Sequence, residues 1–334
     1  MDLRAVNPEI GDQGAELSLI AGLIPKLKEH SAIDVGSERG AVAAVLRRAG
    51  ADPMWLIEPF PGNVERLRDR FGADPGVHVL SVAAGTQDAT AELHLAHDSS
   101  GGSLDALHTL HPESSAHDLA WTGSVSVQVR SLDSLSGAGE IPGRVGVLKI
   151  DAEGSDADVL SGAGSIAADI VMVEFWRNLP GWVGPCPYEL GEVRSLVEPL
   201  GPRRFLFVRH GRRHVSVGRW DSAEVADGEW GNLIFVSDEL VDAVKEALPA
   251  LDRGLLDRNE QITAGQERGA AERLQLIDQL SREADERLRL LQRPRLLKRI
   301  SSRLRSARPA ASAERPPLET LDDADQERGG SGPV

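Results

Sequence analysis

Between residues 32 and 84 the chain alternates short apolar runs with stretches of helical spacing. Ala32–Val35, Met54–Ile57 and Val77–Ala84 are the runs; Ala41–Arg48, closed by Gly50, and Asn63–Phe71 are the helical stretches between them. Continuous apolar runs of this length suit strands buried on both faces. Strand, helix, strand, helix, strand in that order implies a mostly parallel sheet with helices on both sides.

The pattern continues beyond residue 84. A strand is expected over Ala91–Leu95, followed by a polar stretch rich in Gly, Ser and His from Asp98 to Ser115. Val125, Val127 and Val129 alternate with polar residues, as in a half-exposed strand. Val145–Ile150 and Ile170–Phe175 read as two more buried strands, with Val159 and Leu160 on a helix between them. Tyr188–Leu200 reads as a helix, Arg204–Val208 and His214–Val217 as a hairpin around Gly211, and Leu233–Val236 as a last strand. The α/β domain is therefore placed at residues 31–240, after an N-terminal helical segment at 1–30 that carries Leu17, Ile20, Leu23 and Leu27.

A charged helical extension is expected at 241–308 and a disordered tail at 309–334, which is polar, acidic and rich in proline. Ile277, Leu280, Ala284, Leu288 and Leu291 follow a 3-4 spacing. A homodimer through a coiled coil within 240–291 and a solvated single helix both fit that spacing. Arg295–Arg308 is basic, with Leu296, Leu297, Ile300 and Leu304 on one face. It reads either as a peripheral contact with an anionic membrane surface or as a bare charged helix end.

The formal net charge of -15 argues against nucleic acid as a partner, since phosphate backbones are held by clustered Lys and Arg. One cysteine, Cys186, allows no intrachain disulfide, and no H-x-H or H-E-x-x-H spacing occurs, so no metal is expected. The first residues lack a basic then apolar signal pattern, and no apolar run approaches the roughly 20 residues of a membrane-spanning helix. The expected location is cytoplasmic or, on the membrane reading of 295–308, at the inner face of the membrane.

The turn after the first strand reads Asp34-Val35-Gly36-Ser37-Glu38-Arg39-Gly40. Gly36 and Gly40 free the backbone to approach a ligand, and a helix N-terminus offers N–H groups to an anion. A dinucleotide requires G-x-G-x-x-G at such a turn. Here Asp34 holds the first glycine position, where it would repel a pyrophosphate but accept an ammonium or stabilise a sulfonium. Glu58, about 20 residues beyond the loop at the end of the second strand, suits the two hydroxyls of a ribose. Asp34, Gly36, Gly40 and Glu58 together describe a site for a cationic, phosphate-free nucleoside, which S-adenosylmethionine is.

A later segment, Lys149-Ile150-Asp151-Ala152-Glu153-Gly154 leading to Val159-Leu160-Ser161-Gly162-Ala163, resembles the K-I-D-x-E-G…V-L-x-G-A signature of FkbM-type methyltransferases. Glu58-Pro59-Phe60-Pro61, Ser131-Leu132-Asp133-Ser134-Leu135 and Val171-Met172-Val173-Glu174 match in the same order. The resemblance covers residues 31–240. It departs at Ser37-Glu38, where the family usually carries Ala-Asn. It implies a Rossmann-like class I methyltransferase fold and O-methylation by S-adenosylmethionine, commonly of a sugar hydroxyl in a glycan, glycolipid or natural product. It also places the strand end at Ala83 and the following Asp88 beside the adenine.

Asp151 and Glu153 stand at the carboxyl end of a strand, where open α/β sheets bind ligands, and are the candidate bases or substrate-orienting groups. Lys149 either pairs with a carboxylate or snorkels to the sheet edge. Ser103 and His108 in the polar stretch, with Trp182 in Pro180-Gly181-Trp182, are the candidate contacts for a hydroxyl-bearing acceptor. Two other readings stand beside this one: a catalytically degenerate scaffold that recruits partners through its helical extension, and a nicotinamide-dependent oxidoreductase.

Overall fold

The computed structural model describes residues 13–97, 103–112, 120–178, 186–210, 215–222, 225–249 and 275. Contacts divide the chain into a unit of Met1–Gln266 and a second of Glu267–Val334, of which only the exposed, helical Gln275 is described. The 3-4 pattern before Leu291, the basic segment 295–308, the tail 309–334 and Trp182 all lie outside the described residues.

The first unit is built on an eight-stranded sheet. Its strands are β1 (Ala32–Val35), β2 (Met54–Ile57), β3 (Val77–Leu80), β7 (Arg144–Ile150), β8 (Ala167–Arg177), β9 (Arg204–His210), β10 (Val215–Val217) and β11 (Glu229–Val236), in the order β10-β9-β11-β8-β7-β1-β2-β3. Neighbours from β3 through β8 run parallel, and the β8-β11, β11-β9 and β9-β10 pairs are antiparallel. The crossovers are helical: α2 (Ala41–Ala49) between β1 and β2, α3 (Pro61–Phe71) between β2 and β3, and α5 (Asp156–Ser161) between β7 and β8. Pro61 opens α3 at a position whose N–H would have no helical partner, and starts it two residues before the sequence pattern does.

Strand alternation sorts the core onto two faces. Ile33, Val35, Leu148, Ile150, Val171 and Val173 pack with Leu132 and Leu135 of α4 (Leu132–Gly137), Val159 and Leu160 of α5, and Val193 and Val197 of α6 (Leu190–Val197). Ala32, Val147, Ile170, Met172, Leu206 and Ile234 pack on the other face with Leu19, Ile20 and Leu23 of α1 (Gly14–Leu23), Leu46 of α2, and Leu67 and Phe71 of α3. Lys149 and Asp34 belong by register to this second face, because Asp34 pairs with Lys149 and Lys149 with Met172. They are polar interruptions of an apolar row, at its carboxyl end.

One sequence expectation is corrected. Val77–Ala84 is not one strand. β3 ends at Leu80, whose carbonyl accepts the Glu58 N–H, and Ala83–Ala84 (β4) joins a separate three-stranded sheet with β5 (Ala89–His97) and β6 (Ala120–Arg130), ordered β4-β6-β5. The apolar composition carries on through the bend, so periodicity alone does not reveal it. Among the described residues no helix is long and apolar enough to cross a membrane.

Gly40 illustrates how tightly the two crossovers pack. It has φ 75°, and a Cβ there would stand 2.4 Å from the Phe71 ring and 2.8 Å from Leu67. Left-handed strain and overpacking together set the cost of Gly40→Ala at about 2 kcal/mol or more. Urea unfolding should show a lowered midpoint with an unchanged slope; a wild-type midpoint would contradict this packing.

Candidate active site

A cavity of about 250 Å³ opens at the carboxyl ends of β1, β2 and β7, lined by the β1–α2 loop, the β2–α3 turn, the β7–α5 turn and a roof segment, Ser103–Pro112. Gly36, Glu58, Ala83, His108, Asp151 and Glu153 of the sequence candidates line it. Asp34, Gly40, Asp88 and Ser103 do not.

The floor rests on Lys149. This side chain is 2% exposed, and its ammonium lies 3.1 Å from Asp34 Oδ1 and 3.5 Å from Asp151 Oδ2. It also donates to the Val35 and Gly36 carbonyls, at 3.2 and 3.0 Å. Burial alone would push its pKa down; the Asp34 and Asp151 charges outweigh that and hold it well above the ordinary lysine value. Pairing therefore wins over snorkelling. Asp34 is wholly buried, and burial raises its pKa against the pull of Lys149. It holds the ammonium from beneath the loop.

The glycine loop is bound inward. The Gly36 and Ser37 N–H groups donate to the Ile57 carbonyl, the Gly40 N–H donates to the Ser37 carbonyl, and the Glu38 N–H donates to Glu58 Oε2 at 2.9 Å. These four donors are not left for an anion, so the loop is no pyrophosphate cradle. Gly36, with φ 70°, is required by protein contact: a Cβ would fall 1.8 Å from the Asp151 carbonyl oxygen. Glu38 has φ 47°, and its carboxylate lies 3.5 Å from Arg39 Nε.

Glu58 is nearly buried. Its two oxygens accept the Glu38 and Phe60 N–H groups, at 2.9 Å each. Burial pushes its pKa up to about 7, with those two bonds opposing. Each carboxylate oxygen accepts more than one hydrogen bond, so the pair retains capacity for ribose hydroxyls.

Glu153 follows on the β7–α5 turn with φ 49°, ahead of Gly154 at φ 97°. Burial, then the Asp151 and Asp156 charges, hold its carboxyl well above the usual range. Glu174 on β8 is raised for the same reasons. Asp156, fully buried at the start of α5, is pushed to about 7 by burial and by Asp151. Among the described residues no three His, Cys, Asp or Glu side chains are gathered as metal ligands.

The roof ties both sides of the cavity together. Asp105, with a side chain 5% exposed, lies 3.1 Å from Arg39 Nη2 and 2.6 Å from Arg66 Nη1, and accepts the Ser103 hydroxyl. Burial pushes its pKa up, but Ser103, Arg66 and Arg39 hold it at about 2. Thr109 Oγ1 donates to the Glu153 carbonyl at 2.6 Å, and His111 meets Asp158 at 3.3 Å.

Asp88, expected beside the adenine, lies instead on the surface. It accepts from Arg130 Nε, Ser131 N and Ser134 Oγ, and so clamps the corner between β6 and α4. Ser103 serves Asp105 rather than the cavity. Gln13, which no local signal marks, lines the cavity and donates from Nε2 to Asp151 Oδ2 at 3.0 Å. Glu16 fixes the same helix: it lies 2.5 Å from His210 Nε2 and accepts from Asn232 Nδ2 at 3.1 Å.

Asp156 gives a pH test. Its folded pKa of about 7 lies above the ordinary 3.8, so the folded state binds the extra proton. Its stabilising contribution is complete below about pH 4 and disappears as pH rises through about 7. Asp156→Asn, with an amide in place of the protonated acid, should lose less stability between pH 5 and 8. At pH 8 it should melt about 3 °C or more above wild type. Parallel melting curves across that range would contradict the assignment.

A family model described as Methyltransferase FkbM domain matches residues 34–201, half of the chain. A comparison with curated proteins returned no match. Among solved structures, methyltransferase FkbM from Methylobacillus flagellatus KT is 16% identical over 61% of this chain and 43% of its own, with a TM-score of 0.36. This chain thus spans less than half the length of that relative. The precorrin-6y C5,15-methyltransferase of Geobacter metallireducens GS-15 is 8% identical over 70% of this chain and 94% of its own, at a TM-score of 0.35. Magnesium protoporphyrin IX methyltransferase of Synechocystis PCC 6803, solved with bound SAM, is 11% identical over 71% and 84%, at 0.34.

Proposed function

The chain belongs to the FkbM methyltransferase family, whose methyl donor is S-adenosylmethionine, and from that premise we propose that it is an O-methyltransferase acting on a hydroxyl of a sugar-bearing acceptor. Its fold is the Rossmann-like α/β fold of class I methyltransferases. The observation that carries the reading is the state of Asp151. Its Oδ2 is held by Gln13 and faces Lys149, while its Oδ1 has no hydrogen-bond partner among the described residues and belongs to a residue that lines the cavity.

The cavity fits the cofactor. It offers apolar wall at Ala83, Ala84, Leu93 and Leu110, the Glu58 carboxyl for a ribose, and Glu38 and Asp151 for positive charge. It also holds a buried, unpaired nitrogen on His108. S-adenosylmethionine supplies a methyl group on a sulfonium, which leaves as a neutral thioether. The protein's own work is to hold the acceptor oxygen in line and take its proton. Positioning of this kind is worth several kcal/mol. Asp151 Oδ1 receives the hydroxyl proton, and Lys149 and Gln13 keep the other oxygen fixed while it does. Glu153, which lines the cavity on the same turn, is placed to orient the acceptor.

The inward-bound loop speaks against a nicotinamide dinucleotide, and the ready Asp151 against a degenerate scaffold. The acceptor as a sugar rests on the family alone.

Asp151→Asn is expected to lower kcat about 100-fold or more, the range of a lost general base, while S-adenosylhomocysteine binds within about threefold of wild type. Label transfer from methyl-labelled cofactor to fractionated glycans, glycolipids and small metabolites gives the first reading, and calorimetry the second. Wild-type turnover by the variant would remove Asp151 from the chemistry.

A further inference from the structure

One buried donor, on a residue that lines the cavity, is used neither by the loop nor by the proposed chemistry. His108 Nδ1 accepts the Ala96 N–H at 3.1 Å, which places the ring proton on Nε2. That nitrogen is buried without a hydrogen-bond partner among the described residues. Asp105 Oδ1 is 3.6 Å away, beyond hydrogen-bond length. Buried donors rarely go unpaired in native proteins, so a ligand acceptor is the economical explanation.

The surroundings say which part of a ligand this is. The Phe60 ring meets the imidazole edge-on, with centroids 4.5 Å apart, and holds its orientation. Ala83, Ala84, Leu93 and Leu110 line the cavity with it, backed by Val127 and Val129 of the small sheet. An apolar wall with one N–H donor suits a flat heterocycle whose ring nitrogens accept and whose faces take dispersion contacts. A ribose asks for acceptors, and Glu58 already supplies them. The roof is built to stay in place, since Asp105 is bound to Arg39 and Arg66 and Thr109 to the Glu153 carbonyl.

We propose that Ser103–Pro112 roofs the purine slot of the cofactor site and that His108 reads the purine, its Nε2–H donating to a ring nitrogen. His108 is thereby moved from the acceptor side, where the sequence places it, to the nucleoside side. The proposal concerns cofactor binding and does not depend on Asp151 or on the identity of the acceptor.

The test is calorimetry with S-adenosylhomocysteine, its 1-, 3- and 7-deaza-adenine analogues and its 2′- and 3′-deoxyribose analogues. Wild-type protein should bind one of the deaza analogues about tenfold more weakly than the parent, the scale of one hydrogen bond. His108→Asn keeps an acceptor for the Ala96 N–H but has no donor at the Nε2 position. It should bind the parent about tenfold more weakly and lose the discrimination against that analogue. His108→Gln, which returns a donor near that position, should recover part of it. Equal wild-type affinity for all three deaza analogues would overturn the proposal without any variant. Full purine discrimination in folded His108→Asn, or a loss that falls on the deoxyribose analogues instead, would overturn it as well.

Discussion

The contact on which the site depends is the ammonium of Lys149 between Asp34 and Asp151. Parallel register places Asp34 beside Lys149, and strand alternation turns Lys149 and Asp151 to the same face. A single lysine in an apolar row would be expensive to bury. Here two carboxylates lie within 3.1 and 3.5 Å, and two loop carbonyls accept its remaining protons. Those carbonyls belong to Val35 and Gly36. The same group that anchors the acid just after β7 therefore also fixes the loop leaving β1, and the absence of a side chain on Gly36 lets the two approach.

Around that centre the rest is arranged by reach. The loop's N–H groups at Gly36, Ser37, Glu38 and Gly40 are spent on β2, on Glu58 and within the loop itself, which makes it a rigid rim rather than an anion cradle. The small sheet β4-β6-β5 supports a roof that spans from the β1–α2 loop to the β7–α5 turn. Helix α1, held by the buried contact of Glu16 with His210 and Asn232, brings Gln13 onto Asp151. Gln13 and Lys149 thus restrain one oxygen of the Asp151 carboxylate, and its other oxygen has no hydrogen-bond partner among the described residues. That is the preorganisation a methyl transfer between a cationic donor and a neutral hydroxyl can use, because the protein adds position and a proton acceptor rather than leaving-group activation.

Much of the main sheet is legible in the sequence, because its signals are local. The runs at 32–35, 54–57, 145–150 and 170–175 each meet a strand. Glu58 is legible from its distance to the loop, and Asp151 from its place after a buried strand. The bend after Leu80 is not, since Ser81 and Val82 do not interrupt the apolar character strongly enough to separate β3 from β4. Asp88 looks like a ligand group at a strand end until Arg130, Ser131 and Ser134 arrive from more than 40 residues away. Gln13 reaches Asp151 across 138 positions, and Asp105 reaches Arg39 across 66. Partners set by topology leave no periodicity to read.

The most direct measurement is a double-mutant cycle on the buried pair, read by denaturant unfolding. Lys149→Met should lower the unfolding free energy by about 3–5 kcal/mol, because it leaves buried carboxylate charge uncompensated. Adding Asp34→Asn to that variant should restore most of the loss, since the amide needs no counter-charge. Losses that simply add, or a Lys149→Met variant as stable as wild type, would show that the ammonium is not what holds the floor of this site together.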